Sequence, residues 1–448
     1  MKNMPNENNE IKPLPPTQAM AEKAYGAMQR FVEIEAVSGF VLLLSTAIAL
    51  IWANSQLAAT YDRFWHTSLS FGIGKFTFSK SLHFWINDGL MTFFFLIVGM
   101  EIRREIHDGS LSNRKYALLP IIAAIGGVVV PAFIFFVFNQ NSTAINGWAI
   151  PTATDIAFAV GVLALLGSAI PSSTRLFLLT LAIIDDILAV LIIAIFYSEG
   201  LNYLGFLISV CGVLFVWSLQ KIGVGSAFGY LIPGGIIWIG MLVTGIHPTL
   251  TGIVLGLMTP VRGIRMRETP LSTIFYISNK LKEEDVSVKT QRKLRLAQRE
   301  LIPPVIRVEK SLHPWVAFFI IPLFALANAG VAINYKSFIE PGSIWLITGI
   351  SLGLIFGKPL GIVGFSWISL RFSWCEFPHN FTWKDIWLVG LLAGIGFTMS
   401  IFIAMLAFKE GIYLNSAKLG VLFGSLISAV FGLMWGKLYL RKLKKFYK

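Results

Sequence analysis

The chain reads as an all-α polytopic membrane protein with about twelve transmembrane helices. Three observations predict this. Hydrophobic residues make up 55% of the 448 and charged residues 14%, whereas soluble domains carry about 25% charged residues. The apolar residues come in blocks of roughly twenty, the length that crosses a bilayer as a helix. Inside one such block, from Leu176 to Tyr197, two aspartates stand side by side, Asp185 and Asp186.

In chain order the blocks cover residues 32–53, 83–102, 116–138, 147–168, 174–197, 201–219, 225–244, 247–259, 312–333, 343–370, 385–408 and 416–437. The eighth is too short to span alone unless it begins before His247. Residues 1–30 are polar, hold Pro13, Pro15 and Pro16, and lack the charged-then-apolar order of a cleaved signal peptide. They read as a flexible cytoplasmic tail ahead of a membrane domain at 31–440, with a basic cytoplasmic tail at 441–448.

An even number of crossings puts both termini on one side. Thirty of the 37 Lys and Arg residues fall on that side and six on the other, with Lys358 inside a block. Leaving out the twelve in the long loop 260–311 still gives eighteen against six. By the positive-inside rule both termini are cytoplasmic. The net charge of +13 is then a matter of topology and lipid headgroups, and a nucleic-acid partner has no support. Cys211 and Cys375 have no metal-ligand spacing and suggest no disulfide framework.

Two connections stand out. The loop 260–311 is long and charged, with an amphipathic helix expected around Lys289–Leu301. Residues 55–82 face outside. There Ser68-Leu-Ser-Phe-Gly-Ile-Gly-Lys-Phe-Thr-Phe78 alternates around Gly72 and Gly74, the pattern of a small β-hairpin.

Two blocks carry breaks. The fourth holds Pro151 and Asp155 in Ala149-Ile-Pro-Thr-Ala-Thr-Asp155, and the eleventh holds Gly394, Gly396 and two hydroxyls in Gly394-Ile-Gly-Phe-Thr-Met-Ser400. Proline removes a backbone donor and glycine weakens helix continuity. Unwound backbone at membrane depth is tolerated only where protein buries it or where it lines a water-filled cavity. A pair of such breaks points to a transporter built from opposed half-helices.

The ionisable residues away from block ends are Asp88, Asp155, Asp185, Asp186 and Lys358. A carboxylate at that depth is costly, and neighbouring carboxylates repel. Adjacent carboxylates offer hard oxygen ligands to a dehydrated cation, and the same oxygens accept protons. Adjacent helical positions lie roughly 100° apart, so one aspartate can face a lysine while the other faces an aqueous funnel. Gly357 and Pro359 give Lys358 room for close approach. Half-helix ends expose partial charges that Asp155 and Lys358 can offset. Thr154 either adds a neutral oxygen to a cation site or caps the half-helix.

Six stretches, in this order, resemble the NhaA family of bacterial Na+/H+ antiporters. They are Trp85-Ile-Asn-Asp-Gly-Leu-Met91, Val98-Gly-Met-Glu-Ile-Arg-Arg-Glu105, Pro151-Thr-Ala-Thr-Asp-Ile-Ala-Phe158, Ala182-Ile-Ile-Asp-Asp186, Gly357-Lys-Pro-Leu-Gly361 and Gly394-Ile-Gly-Phe-Thr-Met-Ser400. The likeness covers residues 31–440. It implies inverted repeats, of which this family is itself a known example, and crossed, broken fourth and eleventh segments. It assigns ion and proton binding to Asp186 and Asp185, pairs Lys358 with Asp185, and places Thr154 and Asp155 at the crossing. The transported Na+ would meet Asp186, Asp185 and Thr154. The resemblance further implies electrogenic exchange in the inner membrane, two protons in for one Na+ or Li+ out, activated at alkaline pH, with no cofactor. It links Glu101, Glu309, His313 and His247 to pH response, although each also reads as a solvated loop or interface residue. The external hairpin resembles the family's homodimer contact. Lys310 stands where the family has a histidine, and residues 262–300 are longer than usual; both bear on the pH profile.

Two other classes compete. An intramembrane aspartyl protease needs two aspartates on facing helices, which adjacent positions do not supply, and its Gly-x-Gly-Asp signature is absent. A proton-conducting subunit of a larger complex would need neither paired breaks nor a cation site.

Overall fold

A computed structural model describes residues 35–446, apart from 74–75, 110–113, 141–142, 168–169, 199, 201, 226, 263–269, 281–287, 334–341, 378–380 and 409–410. The expected tail 1–30 lies outside the described residues.

Helix α1 (Glu35–Ala53) turns by 116° into α2 (Ala58–Trp65). Strands β1 (Ser68–Ile73) and β2 (Phe76–Ser81) follow, and then α3 (Leu82–His107). Next come α4 (Arg114–Asn139), the 3-10 helix α5 (Thr143–Thr152), α6 (Ile156–Leu165) and α7 (Ser172–Phe196). They lead to α8 (Tyr203–Ile222), α9 (Ala227–Thr244) and the short α10 (Leu250–Met258). Helices α11 (Pro270–Lys280) and α12 (Val288–Glu300) lie in the long loop. The chain closes with α13 (Pro304–Asn328), α14 (Ser343–Arg371), α15 (Trp383–Ala393), α16 (Phe397–Ala407) and α17 (Ile412–Phe446).

The protein is an all-α polytopic membrane protein, with one small hairpin among the described residues. Among the described residues eight helices are long and apolar enough to cross a bilayer, and eleven spans result if each bent pair counts as one. Helix α1, at 19 residues, is about 28 Å long and reaches across unaided, so α2 merely turns aside from its end. The expected eighth segment is α10, whose nine residues reach about 13 Å, well short of the roughly 30 Å hydrocarbon core. The eighth block nonetheless joins the two faces: His247 lies beside the Tyr197 carbonyl at the end of α7, while the Met258 carbonyl accepts from Gln220 near the far end of α8, and α10 between them packs against α3.

The hairpin is antiparallel, with Phe71 opposite Phe78 and Ser70 opposite Ser79. Phe71 and Phe78 both rest edge-on against Trp85, which fixes the hairpin to the start of α3. The amphipathic helix expected at Lys289–Leu301 is α12. Helix α11 has no counterpart in the sequence expectation. The ninth block begins at Pro304, not near residue 312, because Pro303 and Pro304 start a helix whose first turns carry charged residues that hydropathy discounts. Glu309 and His313 are thus helical residues. Helix α17 continues to Phe446, through most of the expected C-terminal tail.

Close backbone approach sets the depth of α14. A Cβ on Gly361 would collide with the Gly126 carbonyl of α4, and one on Gly126 would collide with the Gly361 carbonyl. Only glycine at both positions lets α4 and α14 touch this closely. Gly127, beside them, leaves room for the stem of Lys358.

Candidate ion-binding site

Two interrupted spans meet at the centre of the molecule. Helices α5 and α6 bend by 43° across a break at 153–155, and α15 and α16 bend by 46° across a break at 394–396. Pro151 lies in the last turn of α5, with its ring against Gly353 of α14. At Gly396 a Cβ would meet the Ala153 carbonyl at 3.0 Å, so the breaks themselves are in contact.

Asp155 holds the crossing together. Its Oδ1 accepts from Phe158 N at 3.0 Å and caps α6. Its Oδ2 accepts from Thr398 N at 3.0 Å and from Thr398 Oγ1 at 2.5 Å, and so caps α16 as well. One carboxylate faces two positive helix N-termini, the charge arrangement that helix dipoles favour. The Asp155 amide donates to the Ile395 carbonyl at 2.7 Å, and Ser400 Oγ donates to the Ile150 carbonyl at 2.7 Å.

The dyad sits beside this crossing on α7. Asp185 is 1% exposed, Asp186 2% and Lys358 0%. Lys358 Nζ donates to Asp185 Oδ2 at 2.5 Å and to Thr154 Oγ1 at 2.8 Å. The Thr154 hydroxyl lies 2.7 Å from Asp185 Oδ2 and 3.0 Å from the Ala393 carbonyl, with a single proton to share between those acceptors. Lys358 thus offsets both the Asp185 carboxylate and, through Thr154, the negative C-terminus of α15. Asp185 Oδ1 and Asp186 Oδ1 are buried and have no hydrogen-bond partner among the described residues. Such atoms are costly unless another group or ion satisfies them.

The charged neighbours of Asp186 are Glu101, Asp185, Asp155 and Lys358. Glu101 comes from α3, which packs Val98 and Ile102 against Ile183 of α7. The structure therefore brings together Asp155, Asp185, Asp186, Thr154, Lys358 and Glu101 with the helix-break residues Pro151, Gly394 and Gly396.

The other sequence candidates lie elsewhere. Glu309 is buried and pairs with Arg104, Oε1 to Nη1 2.7 Å, joining α13 to α3. His313 is exposed on the same helix. Asp88 lies in a π-helical turn of α3, where its carbonyl accepts from Trp238 Nε1 at 2.9 Å. His247 Nε2 lies 3.0 Å from the carbonyl of Tyr197. Tyr197 is eleven residues beyond Asp186, about 16 Å along the helix.

Some site residues were not singled out from sequence. In the sequence Thr398 is no more than a hydroxyl within a motif, although its spacing from the Gly394–Gly396 break marks a helix start. Ser425 of α17 accepts from Phe397 N at 3.0 Å, and a serine in an apolar helix gives no such signal. Buried Asp385 accepts from Thr174 of α7 at 2.6 Å and from Tyr439 of α17 at 3.1 Å, which pins three helices at one end.

Together, the polytopic helical fold and a buried carboxylate dyad beside crossed half-helices define a secondary ion transporter. The family model described as Na+/H+ antiporter 1 matches residues 29–435. Similar relatives include the Na(+)/H(+) antiporter NhaA 2 of Pseudomonas putida, 58% identical over 431 residues covering 94% of this chain and 95% of the relative. The Na(+)/H(+) antiporter NhaA of Bordetella petrii is 54% identical over 441 residues, covering 96% and 94%. The solved structure of the sodium proton antiporter MjNhaP1 from Methanocaldococcus jannaschii aligns with 94% of this chain and 99% of its own, at 12% identity and TM-score 0.49. The chain belongs to the NhaA family of Na+/H+ antiporters. It is a transporter that exchanges Na+ and H+, not an enzyme.

Proposed function

We propose that Asp185 and Asp186 form the shared site for Na+ (or Li+) and H+, and that competition between these ions is the exchange mechanism. The observation that carries this reading is the Lys358–Asp185 pair at 2.5 Å beside buried, unpartnered oxygens of Asp185 and Asp186. Both carboxylates, with Lys358 charged, leave one net negative charge. A bound Na+ cancels it. Asp186 is the primary ligand, with Asp185 and the Thr154 hydroxyl completing the oxygen set once Asp185 turns from Lys358. Two protons on the two carboxylates would instead leave one net positive charge. The loaded states then differ by one charge, so exchange of two protons inward for one Na+ outward is electrogenic and is driven by the membrane potential.

The remaining parts follow this reading. The protein works in a bacterial inner membrane with both termini cytoplasmic, as the Lys/Arg asymmetry supports. It is activated at alkaline pH, where the dyad is free of protons. Glu101, held beside Asp186, and the Arg104–Glu309 pair set cytoplasmic access, with His313 and His247 as further candidates for pH response. The exposed Phe71 on the hairpin supports a homodimer through this element. The test is dissipation of an imposed pH gradient in proteoliposomes, with Na+, Li+ and K+ added in turn. Na+ and Li+ should collapse the gradient and K+ should not. Equal responses to all three would overturn the assignment of a cation-selective site.

A further inference from the structure

The long loop carries two helices that the ion site does not use. Helices α11 and α12 pack on each other, burying Thr273 and Ile277 on one and Ala297 and Glu300 on the other. The outer arc of α11 is apolar, with Leu271, Phe275 and Tyr276 each at least 60% exposed. Helix α12 is basic: five of its thirteen residues are Lys or Arg and one is acidic. Arg292, Arg295 and Arg299 recur at one helical face, and Arg292, Lys293 and Arg295 are exposed.

The position of this pair is fixed. Arg299 Nη2 donates to the Gly225 carbonyl, between α8 and α9, at 2.6 Å. Arg307 of α13 donates to the same carbonyl at 3.2 Å and to the Arg299 carbonyl at 2.8 Å. It also lies 3.6 Å from Glu300. The pair is therefore tied to the ends of three membrane-spanning helices, at the level where a bilayer's hydrocarbon gives way to headgroups. Large apolar side chains at that level beside a basic helix fit the chemistry of an anionic lipid surface.

We propose that α11 and α12 form a membrane-surface anchor. Leu271, Phe275 and Tyr276 enter the headgroup–acyl boundary of the adjacent leaflet, and Arg292, Lys293 and Arg295 engage anionic headgroups. The tie through Arg299 and Arg307 connects this contact to α13, the helix that carries Glu309. The proposal rests on the reading that this face is cytoplasmic, where anionic lipid is available.

Full-length protein with Cys211→Ser and Cys375→Ser receives a single spin label at Phe275→Cys or Gln298→Cys. It is reconstituted in phosphatidylcholine with or without phosphatidylglycerol. Power-saturation EPR then compares access to oxygen, which partitions into lipid, with access to a water-soluble nickel chelate. With phosphatidylglycerol, the label at 275 should lose nickel access and keep oxygen access, while that at 298 stays open to nickel. The triple variant Arg292→Gln, Lys293→Gln, Arg295→Gln should restore nickel access at 275. Unchanged nickel access at 275 with phosphatidylglycerol would overturn the anchor. So would shielding from both probes, which would mean a protein covers the face. A membrane-impermeant maleimide should label Gln298→Cys in everted vesicles only. Labelling only in right-side-out vesicles would overturn the topology and the anchor with it. None of these measurements depends on ion exchange.

Discussion

Lys358 Nζ and Asp185 Oδ2 meet at 2.5 Å with both side chains fully buried. This pair joins α7 to α14 and lies within one hydroxyl of the crossing. Removing one partner of a buried pair leaves an uncompensated charge, a cost of roughly 3–5 kcal/mol. Lys358→Ala should therefore lower the thermal midpoint of the purified protein sharply. Adding Asp185→Asn should recover part of the loss. Additive losses in the double variant, read from melts in detergent, would contradict the pairing.

Asp186 is held by geometry of a different kind, since its buried Oδ1 has no hydrogen-bond partner among the described residues. Asp186→Asn preserves shape and removes the charge. Na+-dependent exchange in proteoliposomes should vanish while the thermal midpoint stays near or above that of the wild type. Normal exchange in a well-expressed Asp186→Asn variant would remove Asp186 from the ion site.

Asp155 caps two helices, and Thr398 contributes to only one of those caps. Loss of a cap typically costs about 0.5–2 kcal/mol. Asp155→Ala should accordingly destabilise more than Thr398→Val, and the double variant should be little worse than Asp155→Ala alone. Equal losses from the two single variants, measured by thermal unfolding, would show that the two caps are not shared through Asp155.

Much of this arrangement was legible in sequence because membrane burial penalises charge so heavily. Asp185, Asp186, Asp155 and Lys358 stood out for that reason, and Pro151, Gly394 and Gly396 marked the breaks. What hydropathy cannot read is direction. It does not show that only nine residues of the block at 247–259 are helical, and it missed the 116° turn after α1. It also placed the start of α13 too late, because charged residues occupy its first turns. The capping of α16 by Asp155 joins positions 243 residues apart and leaves no local pattern. The pairing of Glu309 with Arg104 likewise depends on the packing of α13 on α3, and sequence alone left Glu309 open to a solvated reading.

The Gly126–Gly361 contact sets how deeply Lys358 sits. Gly361→Ala should force α4 and α14 apart and cost about 1–3 kcal/mol, the usual range for overpacking. Gly364, one turn further along α14, has open space around it. Gly364→Ala should be neutral or stabilising, because alanine favours helix by about 0.5–1 kcal/mol. A similar response at both positions in thermal melts would contradict the close approach.

The central claim is that protons and Na+ compete for one pair of carboxylates. The measurement that tests it most directly is the KM for Na+ as a function of pH, in proteoliposomes at fixed ionic strength. Cation binding requires deprotonated carboxylates, so acidification should raise KM by up to about tenfold per pH unit for each proton displaced. The maximal rate should change less. A KM that stays flat across the activating range while the rate falls with acid would contradict competition at Asp185 and Asp186, and would assign pH control to a separate group such as Glu101 or Glu309.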